Sequence, residues 1–115
     1  MAYDTVLLAL ADPTRRALFE QVRRRPRTVG ELARLAGVRQ PTVSQHLQVL
    51  RRARLVNDRR EGTRRYYQAE RTGLAELRHY LESMWEDVLA AYAATDPARQ
   101  PRQTGSRRGP KRIRI

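Results

Sequence analysis

Apolar positions recur at intervals of three or four residues through the first half of the chain and again between Leu74 and Tyr92, the spacing of amphipathic helices. Residues 3–10 form a short apolar stretch and predict a first helix. Asp12-Pro13 predicts a restart, because Asp caps a helix N-terminus and Pro is tolerated at its first position. The second helix is expected to reach about Arg24, with Ala17, Leu18 and Val22 on one stripe, and to end at Arg25-Pro26. Thr28-Val29-Gly30-Glu31 matches a capping box. Leu32, Leu35 and Ala36 then line a short third helix, and Gly37 offers a left-handed stop. Gln40-Pro41 opens a fourth helix with Val43, Leu47 and Leu50 on its apolar stripe.

After Ala53 the period changes. Residues 55–60 and 63–68 are β-prone and flank Glu61-Gly62, which predicts a hairpin. A final helix is expected over residues 72–93. Two short helices joined across a glycine turn are a helix-turn-helix, and a hairpin directly after one is a wing. The pattern therefore predicts a mainly α fold with a small β-hairpin: a winged helix-turn-helix of five helices and a two-stranded wing.

The last helix carries Leu74, Leu77, Leu81, Met84, Val88 and Tyr92 at helical spacing, with Tyr80, Trp85 and Leu89 beside them. So wide a stripe exceeds what a small domain needs to cover. A partner helix from a second chain would cover it, and the first helix can join. A two-fold homodimer is expected, with Val6, Leu7, Leu10, Leu77, Tyr80, Leu81, Met84, Trp85, Val88 and Tyr92 at its interface. The alternative is that the stripe folds back on its own domain.

The chain has 115 residues, enough for one domain, and 40% hydrophobic content argues against global disorder. No apolar run is long enough to span a membrane. The start carries acids and lacks a positive n-region, so no signal peptide is expected. There is no cysteine, which excludes disulfides, thiolate metal sites and cysteine nucleophiles. A cytoplasmic location follows by default.

Charge changes the picture more than composition does. Lys and Arg number 24 against 12 acids, a formal net charge of +12. A small protein this basic usually has a polyanionic partner. Residues 39–65, the fourth helix and the hairpin, carry net +6, whereas residues 66–95 carry −3. Residues 96–115 carry another +6 and are rich in Pro and Gly. This divides the chain into a folded domain, 1–95, and a flexible Arg-rich tail, 96–115. The tail is either a basic arm that adds phosphate contacts or an inert solvated end.

A helix that reads DNA grips its own domain with one face and reaches base edges with the other. Opposite the apolar stripe of the fourth helix lie Ser44, Gln45, Gln48 and Arg52, and Gln40, Pro41 and Thr42 form its first turn. Gln pairs with adenine through two hydrogen bonds, Ser and Thr donate or accept, and Arg suits guanine or phosphate. Arg59, Arg60, Arg64 and Arg65 crowd the hairpin tip, where like charges repel unless a polyanion lies nearby. Thr28 caps the third helix and can also face a phosphate. His46 flanks the buried stripe and either packs there or contacts a phosphate. No catalytic constellation is present: Ser44 and His46 face apart with no acid to orient the imidazole.

Three segments resemble the ArsR/SmtB (arsenic-repressor-like) family of bacterial winged-helix transcription factors. They are LLALADPTRRALFEQV, TVGELARLAGVRQPTVSQHLQVLRRARLV and RREGTRRYY, and the resemblance covers about residues 3–92. It implies a homodimer through the first and last helices that binds a palindromic operator in double-stranded DNA and represses by blocking transcription. By motif position Gln40, Thr42, Ser44 and Gln45 would face the major groove and the four arginines the wing side. Arg39 stands where the family often has Ser, which weakens the cap and offers a phosphate contact instead. Metal-sensing members use thiols on the third helix or His and carboxylate pairs on the last. Here Arg34 occupies the third helix, and His79 with Glu82 makes a poor zinc set. The resemblance is thus to the non-metal branch, with no cofactor expected and with three alternatives for the signal: a small molecule, a partner protein, or nothing beyond the protein's own concentration. The competing reading is an abundant, weakly selective architectural protein that binds nucleic acid through tail and wing.

Overall fold

The computed structural model describes residues 2–95, so the basic tail, 96–115, lies outside the described residues. Five helices and one hairpin follow in the order α1 (Ala2–Ala11), α2 (Pro13–Arg24), α3 (Val29–Ala36), α4 (Gln40–Arg52), β1 (Val56–Glu61), β2 (Arg64–Ala69) and α5 (Arg71–Thr95). The chain divides after Tyr80 into two compact units, Met1–Tyr80 and Leu81–Ile115.

Local chemistry sets most of the helix ends. The Asp12 carboxylate accepts from the Arg15 backbone N–H at 2.9 Å and caps α2, with Pro13 in its first turn. At α3 the capping box is complete. The Thr28 hydroxyl accepts from the Glu31 N–H at 3.2 Å, and the Glu31 carboxylate accepts from the Thr28 N–H at 3.0 Å. Gly37 ends α3 in the left-handed region, at φ 66°. Arg39 precedes α4 without a side-chain cap, as the sequence leads one to expect.

The end of α4 differs in kind. Leu55 N–H donates to the Leu50 carbonyl and Arg54 N–H to the Arg51 carbonyl, each at 3.0 Å, the bond pair of a Schellman motif. Its left-handed residue is Arg54, at φ 59°, where glycine is usual. An L-residue there costs on the order of 1 kcal/mol. The buried pair Leu50 and Leu55 offsets that cost, and the Arg54 carbonyl accepts from Gly73 N–H at 2.8 Å, which seats the first turn of α5.

The core of the first unit draws on every element before α5. Val6 and Ala9 of α1, Leu18, Phe19 and Val22 of α2, Leu32 of α3, and Val43, Leu47 and Leu50 of α4 close over Leu55, Val56 and Tyr67. Leu74 and Leu77 of α5 pack against this cluster in part, and Tyr80 stacks on Tyr3 with ring centroids 4.0 Å apart. β1 and β2 pair antiparallel, with Asp58 opposite Tyr67 and Glu61 opposite Arg64, so Gly62 and Thr63 form the loop. Gly62 takes φ 63° there, the positive φ that primed hairpin turns require. On the other edge of β2, Arg27 exchanges two backbone hydrogen bonds with Tyr67, at 2.9 and 2.7 Å. This third short rung holds the α2–α3 connection against the wing.

Several positions depart from the sequence expectation. Val6 is 1% exposed and belongs to the protomer's own core, so it cannot line an interface between chains. Ala17 is exposed and Phe19 takes its place on the buried side of α2. Leu35 is 53% exposed, since α3 meets the core through Leu32, with Val29, Ala33 and Ala36 beside it. The hairpin loop falls one residue later than Glu61-Gly62. In the second unit α5 exposes Leu81, Met84, Trp85, Val88, Leu89 and Tyr92.

Two outcomes test this account. A Cβ on Gly73 would lie 2.3 Å from the Ala53 carbonyl oxygen and 2.8 Å from that of Arg54. Gly→Ala in a helix ordinarily stabilises by about 1 kcal/mol. Gly73→Ala is expected to destabilise by about 1–3 kcal/mol in urea unfolding, because backbone must move to admit the methyl. A stabilised variant would refute the close approach. The second outcome concerns acid. The Arg15 backbone N–H holds the Asp12 carboxyl below the usual carboxylate range, and the Thr28 N–H followed by Arg25 does the same for Glu31. A depressed folded-state pKa gives stability that is present above the unfolded value and lost as pH falls through the folded one. The unfolding midpoint should therefore fall below about pH 4, and less steeply in an Asp12→Asn, Glu31→Gln variant. An equal acid slope in both proteins would remove the caps from the explanation.

Candidate nucleic-acid interface

α4 divides cleanly between its two faces. Val43, Leu47 and Leu50 are buried at 1% exposure or less. Gln40, Pro41, Thr42, Ser44, Gln45, Gln48 and Arg52 are all exposed. The split follows from the helical period, since residues three, four and seven apart share a side. It leaves a continuous polar ridge of amides, hydroxyls and a guanidinium on a helix fixed from behind. Gln40 extends this ridge towards α3, where its side-chain amide nitrogen lies near Gly30.

His46 is not on the ridge. It is half-buried, with Nδ1 3.5 Å from the Arg15 guanidinium. The same guanidinium donates to the Ala9 carbonyl at 2.8 Å and the Leu8 carbonyl at 3.2 Å. Arg15 thus gathers the C-terminal carbonyls of α1 and the flank of α4, and His46 is engaged by this contact within the protein.

The wing departs from the picture of four mutually repelling arginines. Arg59 donates to Glu61 at 3.2 Å and to the Gln68 amide oxygen at 2.6 Å, and it lies over the Tyr66 ring at 5.6 Å. Arg65 pairs with Asp58 at 3.3 Å. Acids therefore offset half of the charge that the sequence places at the tip. Arg60 and Arg64 are exposed and, among the described residues, make no hydrogen bond or ion pair. Across the register Arg60 faces Arg65 and Glu61 faces Arg64, so both unpaired guanidiniums sit at the loop end of the hairpin.

An open groove of about 550 Å³ runs between the start of α3 and the wing, lined by Thr28, Val29, Gly30, Glu31, Arg34, Arg64 and Arg65. Three cations line it against one acid, and Glu31 is already paired with Arg25 at 3.1 Å. Thr28 sits at its edge with its hydroxyl oxygen used as the α3 cap. Sequence reasoning missed Arg34 and Arg51. Arg34 read only as an obstacle to metal binding, and Arg51 gave no signal because its partner, Asp58 at 3.3 Å, lies in the wing. Among the described residues no group of three or more His, Asp or Glu side chains is placed to hold a metal ion.

Among families of known proteins, the model of a helix-turn-helix domain matches residues 10–59, the span from the end of α1 into β1. The chain is 54% identical over 90 residues to the HTH-type transcriptional regulator Rv2034 of Mycobacterium tuberculosis, covering 78% of this chain and 84% of that one. It is 32% identical over 73 residues to the transcriptional repressor SdpR of Bacillus subtilis, covering 64% and 81%. Among solved structures it resembles Mb0332 of Mycobacterium bovis, a homodimeric winged helix-turn-helix DNA-binding domain described as a possible ArsR-family transcriptional regulator. That likeness has a TM-score of 0.61 and 31% identity, and covers 76% of this chain and 82% of that one. The ridge on α4, the arginine-tipped wing beside it and these likenesses agree: the chain belongs to the ArsR/SmtB family of winged helix-turn-helix transcriptional regulators.

Proposed function

We propose that the protein is a cytoplasmic, homodimeric repressor that reads a palindromic operator in double-stranded DNA. One observation carries this reading: α4 presents an unbroken polar ridge on a helix whose opposite face is fully buried. Gln40, Thr42, Ser44, Gln45 and Gln48 would meet base edges in the major groove. Arg39 and Arg52 at the ends of the helix, and Thr28 at the α3 groove, would meet phosphate. Arg60 and Arg64 are the wing cations with no acid to satisfy first, so they carry the wing's phosphate or minor-groove contact. Arg59 and Arg65 reach DNA only from within their existing pairs. His46 contributes by holding α4 to Arg15 rather than by touching DNA. Ser44 is exposed while His46 turns to Arg15, so the two side chains do not converge.

The exposed stripe Leu81, Met84, Trp85, Val88, Leu89 and Tyr92 supports self-association, as does the homodimeric state of the similar Mb0332 domain. On α1, Leu7 at 42% and Leu8 at 69% exposure supply a second apolar surface. Leu10, Leu77 and Tyr80 are partly used inside the protomer and would border the interface rather than fill it. Two-fold pairing of such chains dictates an inverted repeat with half-sites about one helical turn apart, and repression follows from occupancy that excludes polymerase.

Selection of duplexes from a random library by the full chain tests the reading. The expected product is an inverted repeat, bound about 10³-fold or more tightly than scrambled DNA. Gln45→Ala should relax the preference within each half-site. Arg60→Gln with Arg64→Gln should weaken both duplexes and lower the salt slope by about one to two. Recovery of no preferred sequence, with steep salt dependence lost on removing residues 96–115, would instead establish the architectural reading. Dimerisation has its own test. Trp85→Glu with Val88→Glu buries two charges in the expected interface and should yield a monomer by sedimentation while the helical content is kept. A dimer that persists would place the interface elsewhere.

A further inference from the structure

Asp58 is an acid in the most cationic folded segment of the chain, where it opposes binding to a polyanion. Its side chain is only 13% exposed, and its carboxylate is divided between two elements. Oδ1 lies 3.3 Å from an Arg51 Nη in the last turn of α4, and Oδ2 lies 3.3 Å from the Arg65 Nε on β2. Each oxygen thus serves one arginine, and the two arginines come from the two elements that would enter the DNA grooves. We propose that Asp58 is a positioning residue for DNA reading, which fixes the wing against the recognition helix by holding Arg51 and Arg65 on one carboxylate.

The need for such a tie follows from the fold. A two-stranded hairpin has little stability of its own. The base of this one is held by Val56, Tyr67 and the Arg27 rung, all on the side of the core. Val56 and Tyr67 share that core with Val43, Leu47 and Leu50 of α4, but apolar packing of this kind is non-directional. The Asp58 carboxylate adds a directed polar link from β1 to α4, at the level of Tyr67. It also aims Arg65, which lines the α3 groove beside Arg64. Arg65 stands across the register from Arg60, so the aim of one guanidinium sets the space left to the other. The acid gives up some general attraction to DNA and in return sets the angle at which helix and wing meet it together. Selectivity depends on that angle, because a base contact forms only in one register whereas a phosphate contact tolerates many.

The proposal rests on the DNA-reading assignment above, and its test separates the two. Full-length protein is titrated against the duplex selected from the random library and against its scrambled form, with wild type, Asp58→Asn, Asp58→Ser and Asp58→Glu compared. Wild type must first prefer the selected duplex; if it does not, the DNA-reading assignment falls and this proposal falls with it. In Asp58→Asn the scrambled duplex should bind about two- to threefold more tightly, since a repulsive charge is gone. The selected duplex should bind about tenfold more weakly, a loss on the scale of one mismatched base pair. Asp58→Ser repeats this with a smaller side chain, and melting curves establish that each variant is folded. Asp58→Glu can still bridge both arginines and should keep most of the selectivity. In an Arg51→Gln, Arg65→Gln background Asp58→Asn has nothing left to position, so it should raise affinity for both duplexes alike. If Asp58→Asn and Asp58→Ser raise both affinities equally in the wild-type background, with selectivity unchanged, Asp58 is a local charge only and the proposal is overturned.

Discussion

A helix proposed to read DNA must be held rigidly by one face and left bare on the other, and the packing of α4 meets that constraint. The grip is the row Val43, Leu47 and Leu50, sealed against Leu18, Phe19, Val22 and Leu32. Close packing in such a core leaves the helix little freedom to roll about its own axis. The polar ridge from Gln40 to Arg52 is the complement of that row. Its direction is therefore set by packing behind it rather than by any contact among the ridge residues themselves.

The junction after α4 transmits the same rigidity. Arg54 occupies a backbone region that favours glycine, and it does so where two helices and a strand converge. Its carbonyl receives Gly73 N–H, and the space there is too small for any side chain at position 73. The start of α5 is thus seated by a backbone contact on the residues just after α4, with Leu74 packed on the core beside it. The second half of α5 carries the apolar stripe that supports pairing of two chains.

Acids in this basic molecule act as fasteners. Asp12 and Glu31 cap helices, and both are held ionised by backbone N–H groups at helix starts. Asp58 joins helix to wing. Glu61 engages Arg59, which leaves Arg60 and Arg64 as the uncommitted wing charges. A surface of bare arginines would bind any polyanion. Placing a few acids among them decides which guanidiniums remain available and where they point.

Features that rest on neighbours along the chain could be read from the residues alone. The Asp12 and Thr28 caps, the Gly37 stop, the hairpin near Gly62 and the two-faced fourth helix were all legible, because each rests on contacts within a few residues. The family resemblance was legible for the same reason, as a series of local motifs in order. What depends on distant partners was not. Periodicity alone could not say that Val6 turns inward while Leu7 and Leu8 stay exposed, since α1 has apolar residues on more than one side. It put Leu35 on one side of α3 with Leu32 and Ala36, and only the fold left Leu35 exposed while Leu32 was buried. It gave His46 two roles, and the tertiary structure turned it to Arg15, thirty-one positions away in the chain. It saw four arginines on a wing and not the acids that engage two of them. The Arg27 rung, the bare backbone at Gly73 and the double grip of Asp58 arise only once the chain has folded, because a side chain's partner across the structure is fixed by packing and not by spacing.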